Sequence, residues 1–574
     1  MPNRKTKSQA HTFVGAIDQG TSSSRFLIFD ASNLELVTYH QEPIKCLTPQ
    51  PGWVEQDPNE ILEKTTLCME KAVEKFEGLG HQKSDIKAIG VTNQRETTIL
   101  WDKQTGKVLH NALVWLDART QETVDFLLKQ YNKRQDCLQE QCGLPISTYF
   151  SALKIRWLID NKEEVRQAIE AKRCMFGTVD SWLLYNLLSN DGKIVHVTDV
   201  TNASRTMLMN IRTLKWDSSL CHFFSIPEHI LPEIKSSATI FGHINKGPLQ
   251  GVPVGAVLGD QQAALVGQKC WSKGTAKSTM MQTKKCPIFI WLFFHEIGTG
   301  CFILYNTGED LAYSRNGLLT TVAYKWNDDD AVYALEGSIA IAGECIKWLR
   351  DNLEIIPDSQ STEKIAASVS DTGGVYFVPA FSGLFAPYWR SDARGLITGM
   401  TQYTTKAHIV RAALEGICYQ TREITDAMYD DSGVRLSKLK VDGGMANNKV
   451  FLQMLANIVG LNVSAPSLFE TTALGVALAA GKAKGIDLFE LDDEDEIETK
   501  MSSFIPRIQG KEREAHFQAW KKAVIKSFER FTPPFNIENK GVHDDKSHLS
   551  SRAIAWATIT TLFGVLLYMS SHHH

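Results

Sequence analysis

The chain has 574 residues, more than a single hydrophobic core carries, so two large domains with a cleft between them are expected. Its composition is that of an ordinary globular protein, 43% hydrophobic and 22% charged, and 61 basic against 65 acidic side chains leave a net charge of -4, which argues against a general nucleic-acid binder. Eleven cysteines without CxxC pairs or zinc-type Cys/His spacing read as reduced thiols, and the opening MPNRKTKSQAHTF has no apolar core that could serve as a secretory signal.

From the N-terminus, the first informative stretch is GAIDQGTSSSRFLIFD, Gly15 to Asp30, two apolar segments joined by an acid, a glycine and a run of hydroxyls. Read as strand, turn and strand, it suits an anion. Glycine lets the backbone approach closely, the amides and the hydroxyls of Thr21, Ser22 and Ser23 donate, and Arg25 adds a fixed positive charge. Asp18 among phosphates requires an intervening cation, and an oxygen-ligated Mg2+ bridging the carboxylate to a nucleotide meets that need. A hairpin turn of the Asx type capped by serines is the plain alternative. PNEILEKTTLCMEKAVEKF, Pro58 to Phe76, has the period of an amphipathic helix with proline in its first turn. IKAIGVTNQRETTILWD, Ile86 to Asp102, predicts two strands around a polar turn. That turn carries Arg95 and Glu96, an adjacent donor and acceptor suited to vicinal hydroxyls or, more simply, to a solvent-facing ion pair.

In VPVGAVLGDQQAALVGQ, Asp260 follows an apolar strand and precedes a small-residue helix, which places it at a carboxyl strand end facing the cleft. There it can accept the proton of a substrate hydroxyl, cap the helix, or both. A domain boundary is expected between Gly267 and Ser272, and a second cycle begins near Lys273. Its GTGCFILYNTG, Gly298 to Gly308, echoes the first hairpin, and two such hairpins could grip one polyphosphate from both sides of a cleft. GGVYFVPAF, Gly373 to Phe381, and the helical AHIVRAALEGICYQTREITDAMYD, Ala407 to Asp430, follow. VDGGMANNKVFLQMLANIVG, Val441 to Gly460, predicts a strand, a tight turn and a helix. Gly443 and Gly444 would leave the backbone bare for a base or ribose and Asn448 would bond to it, a plain strand-to-helix turn being the alternative. Neither a Walker A loop nor a GxGxxG turn occurs at these strands. ELDDEDEIE, Glu490 to Glu498, reads as a solvated loop, and AIAWATITTLFGVLLYM, Ala553 to Met569, as a C-terminal membrane anchor at the short limit of a span.

These stretches, with LVWLDART, YFSALKIRWLIDN, TDVTNASRTMLMNI, GLITGMTQYTTKAHIVRAALEG and ETTALGVALAAG, resemble the glycerol kinases of the FGGY carbohydrate kinase family, within the actin, Hsp70 and hexokinase superfamily. The resemblance implies an α/β fold of two ribonuclease-H-like (actin-like ATPase) domains, 12–270 and 271–530, closing on ATP and glycerol to make sn-glycerol 3-phosphate, with Mg2+. By position it implies that Arg95, Glu96, Tyr149, Asp260 and Gln261 bind glycerol, with Asp260 as general base, and that Trp115 and Phe302 wall its carbon side. Thr21, Ser22, Ser23 and Arg25 match the first phosphate hairpin and Thr299 the second, while Gly343, Gly444 and Asn448 match nucleotide contacts. Lys347 stands where some members have glutamine, which leaves its nucleotide contact open. Residues 531–552 would be a linker. The tail, 553–569, resembles an extension of animal members, which implies residence on the cytosolic face of the mitochondrial outer membrane and in the cytoplasm, and the family suggests a homo-oligomer.

One departure stands at the second hairpin. Where the family reads approximately KSTYGTGCF, this chain reads KSTMMQTKKCPIFIWLFFHEIGTGCF, so Met280 to Ile297 replaces one tyrosine. Such an insert is affordable in loop-closure entropy if it can loop out, although CPIFIWLFF is strongly apolar. Three readings are open: a retained non-coding stretch or gene-model error, a splice form with a damaged phosphate site that leaves a catalytically weak or silent membrane-tethered scaffold, or a membrane-contact loop acting with the tail. A kinase for another polyol, such as a pentulose, is the remaining alternative for activity.

Overall fold

The computed structural model describes residues 12–190, 192–280, 300–381, 383–390, 392–466, 470–489 and 501–528. All of them fall in one compact unit that ends at Phe528. The expected linker and tail, the acidic run, Thr299 and all of the insert except Met280 lie outside the described residues.

The first sheet has six strands, β1 (Phe13–Gln19), β2 (Ser23–Asp30), β3 (Leu36–Pro43), β4 (Ile86–Asn93), β5 (Ala238–His243) and β6 (Pro253–Gly259), in spatial order β5-β6-β4-β1-β2-β3. β1, β4 and β6 run parallel, so their carboxyl ends share one edge. Every residue of β1 is buried, as expected of a central strand covered on both faces, which is why it opens with the apolar run FVGAI before Asp18 and Gln19 at its carboxyl end. One face is covered by α1 (Pro58–Gly78), capped by the Asp57 side chain accepting from the Asn59 amide, and it buries Ile61, Cys68, Met69, Ala72, Val73 and Phe76. α2 (Ser151–Asn161) and α3 (Asp260–Gly267) lie beside the sheet's carboxyl edge.

The second sheet holds β7 (Ala276–Met280), β8 (Cys301–Gly308), β9 (Leu319–Tyr324), β10 (Val332–Ile339), β11 (Lys438–Asp442), β12 (Asn462–Pro466) and β13 (Met501–Phe504), ordered β9-β10-β8-β7-β11-β12-β13. β7 pairs antiparallel with β8 and parallel with β11, as β1 pairs with β2 and β4, so the hairpin echo seen in the sequence is an echo of topology. β7 and β8 stay in register from Ala276↔Tyr305 to Met280↔Cys301, which fixes the base of the hairpin up to the residue where the insert begins. Helices α4 (Gly343–Asp351), α5 (Lys406–Ser432), α6 (Lys449–Val459) and α7 (Thr471–Lys482) complete this half.

The halves are not two separate cores. α7 belongs by sequence to the second half, yet Ala473 to Ala480 pack in one hydrophobic cluster with Val14, Ala16 and Ala88 of the first sheet and with α3. The same cluster takes in Phe302, Leu304 and Leu319 of the second sheet. Tertiary burial therefore crosses the division that the strand pattern suggests.

Candidate active site

The shared carboxyl edge of β1, β4 and β6 gathers the residues that the sequence scatters over 240 positions. Thr21 follows β1, Arg95 and Glu96 follow β4, and Asp260 follows β6. These four, with Trp115, Tyr149 and Phe302, line one small pocket, a seven-residue rim with room for only a small molecule. Trp115 stands edge-on to both Tyr149 and Phe302, at ring-centroid distances of 5.6 and 5.7 Å, and its indole N–H donates to Thr21 Oγ1 at 3.0 Å. The aromatic wall is thereby pinned to the first hairpin. Lys154 of α2 pins it from behind, its Nζ donating to the carbonyls of Tyr149 at 2.6 Å and Trp115 at 3.4 Å. Burial pushes that lysine down to about 7.

The bland expectation for Arg95 and Glu96, a solvent-facing ion pair, is overturned: both are buried, and each makes its hydrogen bonds with another partner. Arg95 forks onto Glu336 of β10, with Nη1 to Oε2 at 2.6 Å and Nη2 to Oε1 at 3.0 Å, and its Nε lies 3.3 Å from Asp260 Oδ1. Glu96 accepts from Arg205 Nε at 2.6 Å, and Arg205 Nη2 reaches Glu336 at 3.1 Å. Glu96 holds the left-handed φ of +59°, a strained conformation for a side-chain-bearing residue, and its carbonyl is fastened by the hydroxyls of Ser151 and Thr98, each at 3.0 Å. Burial raises the Glu96 carboxyl and two guanidiniums oppose that rise. Burial opposes ionisation at Glu336 too, but Arg205 and Arg95 bring its carboxyl down to about 2.

Asp260 is the first residue of α3 rather than its N-cap, which is Gly259, so the capping alternative is corrected. Oδ1 instead accepts from the Gln261 amide at 2.8 Å, within the first turn. A Cβ on Gly259 would sit 2.7 Å from Arg95 Cδ, so only glycine lets the arginine lie across this strand end. Burial raises the Asp260 carboxyl, against the pull of Arg95 and Lys277. Gln261 Oε1 accepts from Lys277 Nζ of β7, and the same ammonium donates to Thr279 Oγ1 at 2.8 Å. Lys277 is fully buried and pushed down to about 8 by desolvation, with Asp442 and Asp260 opposing.

The phosphate side differs more from expectation. Arg25 is spanned by two carboxylates, Asp18 Oδ2 at 2.5 Å and Glu470 from the start of α7, so it does not present an empty fork to an anion. Asp18 is thus an ion-pair partner first. Only one of its oxygens meets Arg25; no other partner of the carboxylate appears among the described residues, and Oδ1 retains the oxygen chemistry that Mg2+ requires. Among the described residues no group of three or more His, Cys, Asp or Glu side chains could by itself hold a metal, which suits an ion bound mainly by phosphate and water. Ser22 is exposed at the hairpin tip, with Thr21 and Ser23 half-buried.

Gly343 starts α4 and Lys347 lies one turn on, its Nζ 3.5 Å from Glu344. Gly444 opens the turn after β11, and Asn448 caps α6, its Oδ1 accepting from Phe451 at 2.9 Å and its Nδ2 reaching Thr362 Oγ1 at 3.3 Å. None of these lines the small pocket. Gly443 has a cause other than a bare surface for a base: its φ is +85° and a Cβ would fall 2.3 Å from the Met280 carbonyl oxygen. The residues that sequence reasoning missed are Arg205, Glu336 and Lys277. Arg205 lies in a quoted motif, but nothing in a linear pattern says that an arginine will be buried; Glu336 and Lys277 sit in apolar strands as isolated charges, which was the available signal.

Two halves of repeated topology that share a buried charge cluster and a small polar pocket define an actin-like kinase. Residues 13–267 match the FGGY family of carbohydrate kinases, N-terminal domain, and residues 295–484 its C-terminal domain. Glycerol kinase 2 of Streptomyces avermitilis is 48% identical, with 90% of this chain and 97% of that protein covered, and glycerol kinase of Chloroflexus aurantiacus is 48% identical, with 90% and 99% covered. The crystal structure of Plasmodium falciparum glycerol kinase with ADP superposes with a TM-score of 0.79 at 38% identity, over 91% of this chain and 99% of that one. The chain belongs to the FGGY family of carbohydrate kinases.

Proposed function

We propose that the protein transfers the terminal phosphoryl group of ATP to glycerol, giving sn-glycerol 3-phosphate and ADP. The observation that carries this reading is the pocket: small, walled on one side by Trp115 and Phe302, and edged by one arginine, two carboxylates and a tyrosine. A triol presents carbon to the wall and hydroxyls to the polar edge. Arg95 and Glu96 supply the donor and acceptor for adjacent hydroxyls, Tyr149 closes the space, and Asp260 takes the proton of the attacking hydroxyl. Its raised basicity, from burial, suits that transfer. Gln261, held by Lys277, fixes the start of α3, and the buried ammonium supplies positive charge on the side where the phosphoryl group arrives.

In this reading the Thr21–Ser23 hairpin donates to the polyphosphate, Thr299 does so from the second hairpin, and Gly343, Lys347, Gly444 and Asn448 border the nucleoside. Asp18 is the residue that would hold Mg2+, and the ion would supply positive charge against the phosphates. Arg25 contributes charge rather than a free fork, since Asp18 and Glu470 occupy it. The tail from Ala553 to Met569 has the length and lack of charge of a membrane anchor, and its resemblance to the extension of animal members would put that anchor at the cytosolic face of the mitochondrial outer membrane; among the described residues no helix is long and apolar enough to span a membrane. Association into homo-oligomers completes the reading.

ADP release coupled to detection of glycerol 3-phosphate tests the activity. A substrate panel in which a ketose outperforms glycerol would overturn the choice of acceptor. Alkaline extraction of membranes tests the anchor, which fails if the protein is released.

A further inference from the structure

We infer that Glu336 is a positioning residue for the acceptor site, supplied by the second half of the molecule: it orients Arg95 and, through Arg205, Glu96 and Tyr149. This rests on the proposed acceptor pocket and adds to it a residue that does not line that pocket.

The geometry carries the inference. Glu336 lies in the middle of β10, between Leu304 of β8 and Leu319 of β9, and its side chain is fully buried. Both its oxygens are taken by guanidiniums that come from the first half. Counting hydrogens on Arg95 shows the consequence. Nη1 gives one to Glu336 and one to Gln262 Oε1 at 3.3 Å, Nη2 gives one to Glu336, and Nε faces Asp260. One hydrogen of Nη2 is left for a ligand. On Glu96, Arg205 Nε occupies Oε1 and leaves Oε2. The clamp thus reduces a five-donor guanidinium and a two-oxygen carboxylate to one donor and one acceptor, the complement of two neighbouring hydroxyls.

Arg205 extends the clamp to the aromatic wall. Its guanidinium carbon lies 5.6 Å from the Tyr149 ring centroid and 5.5 Å from that of Phe150, and its buried Nη1 meets no hydrogen-bond acceptor, so the aromatic faces are what it has there. A paired fork fixes the plane of a guanidinium as a single hydrogen bond does not. Without Glu336, Arg95 would be free to turn toward Asp260, and two buried arginines would face one remaining glutamate of the cluster. Because β10 belongs to the sheet that does not carry Arg95, Glu96 or Asp260, the acceptor pocket is finished only by the other half.

The test uses the full chain and measures glycerol and ADP affinities by titration calorimetry together with KM and kcat. Glu336→Gln is expected to weaken glycerol about tenfold to a hundredfold, in Kd and KM alike, while ADP affinity stays within about twofold. Glu336→Asp keeps the charge but cannot reach both arginines, and is expected to fall between. A purely structural role would lower the active fraction, and so kcat, leaving the Kd and KM of the folded molecules unmoved. Unchanged glycerol affinity, or an equal weakening of both ligands, overturns the inference. Where Glu336→Gln does not fold, Glu336→Asp decides by the same comparison. Arg95→Ala separates the two levels: if it leaves glycerol affinity intact, the pocket reading itself is wrong; if it weakens glycerol while Glu336→Gln does not, only the clamp is.

Discussion

The two strand-edge clusters of this molecule are built on one topology and furnished differently. At the edge of the first sheet, β1, β4 and β6 deliver Asp18, the Arg95–Glu96 pair and Asp260, and the charges of Arg95 and Asp260 are met by partners from both sheets. At the corresponding edge of the second, β11 delivers Asp442 followed by a glycine turn, with Lys277 of β7 two residues further back, opposite Lys440. Asp442 accepts from Thr471, but its other oxygen is buried without a partner. The first edge holds a small acceptor rigidly, since buried charges in a closed network cost much to disturb. The second brings one buried ammonium, held by Gln261 and Thr279, and a carboxylate oxygen without a partner, a less closed set of charges.

That difference can be broken at its chemical centre. Asp260→Asn is expected to lower kcat by about 10²–10⁴-fold with little change in glycerol Kd, read by coupled ADP release and calorimetry; equal turnover would remove Asp260 as the base. Only the ionised carboxylate accepts a proton, and burial raises its pKa, so the acid limb of kcat should lie above the ordinary aspartate value of 3.8 and vanish in the variant. The second edge is probed by Lys277→Met, with kcat falling about a hundredfold as a positive charge at the transferring group is lost. Lys277 is charged below its depressed pKa of about 8 and neutral above it, so wild-type kcat should decline as pH rises through that value, and the decline should be absent from the variant's residual rate.

Smaller effects sharpen the same contrast. Because β7 and β8 are paired in register up to Met280, replacing Met280 to Ile297 by one tyrosine should change kcat by less than about tenfold, and the shorter loop should add only about 2–3 kcal/mol of stability, each doubling of a loop costing about 0.6 kcal/mol. If only the shortened chain turns over, the insert displaces the second hairpin beyond catalytic tolerance and the full chain is a silent form. Smallest is Glu470→Gln. It removes a partly exposed partner of Arg25 and should cost less than about 1 kcal/mol in thermal unfolding while modestly favouring nucleotide binding, since it frees the fork.

Much of this was legible in the order of residues. The hydrophobic runs located the strands that carry the chemistry, and α1 and α5 appeared almost at their observed bounds because an amphipathic period of 3.6 is a local property. The placement of Asp260 at a carboxyl strand end followed from strand-then-helix patterning, and that of Arg95 and Glu96 from a polar turn between two strands. That the positive charge of Arg25 is shared with Glu470 was not legible, because the two lie 445 positions apart. Gly443 was misread because the atom that forbids a side chain there belongs to Met280.

The sequence by itself determined the alternation of strands and helices, the repeated hairpin and the identity of the polar groups at the strand ends, since each depends on neighbours a few residues apart. Only the tertiary structure decided which charges neutralise which: Glu336 against Arg95 and Arg205, α7 against the first sheet, Lys277 against Gln261. Burial turns a polar side chain into an obligation to find a partner, and that partner is chosen by proximity in space, which residue order does not encode locally.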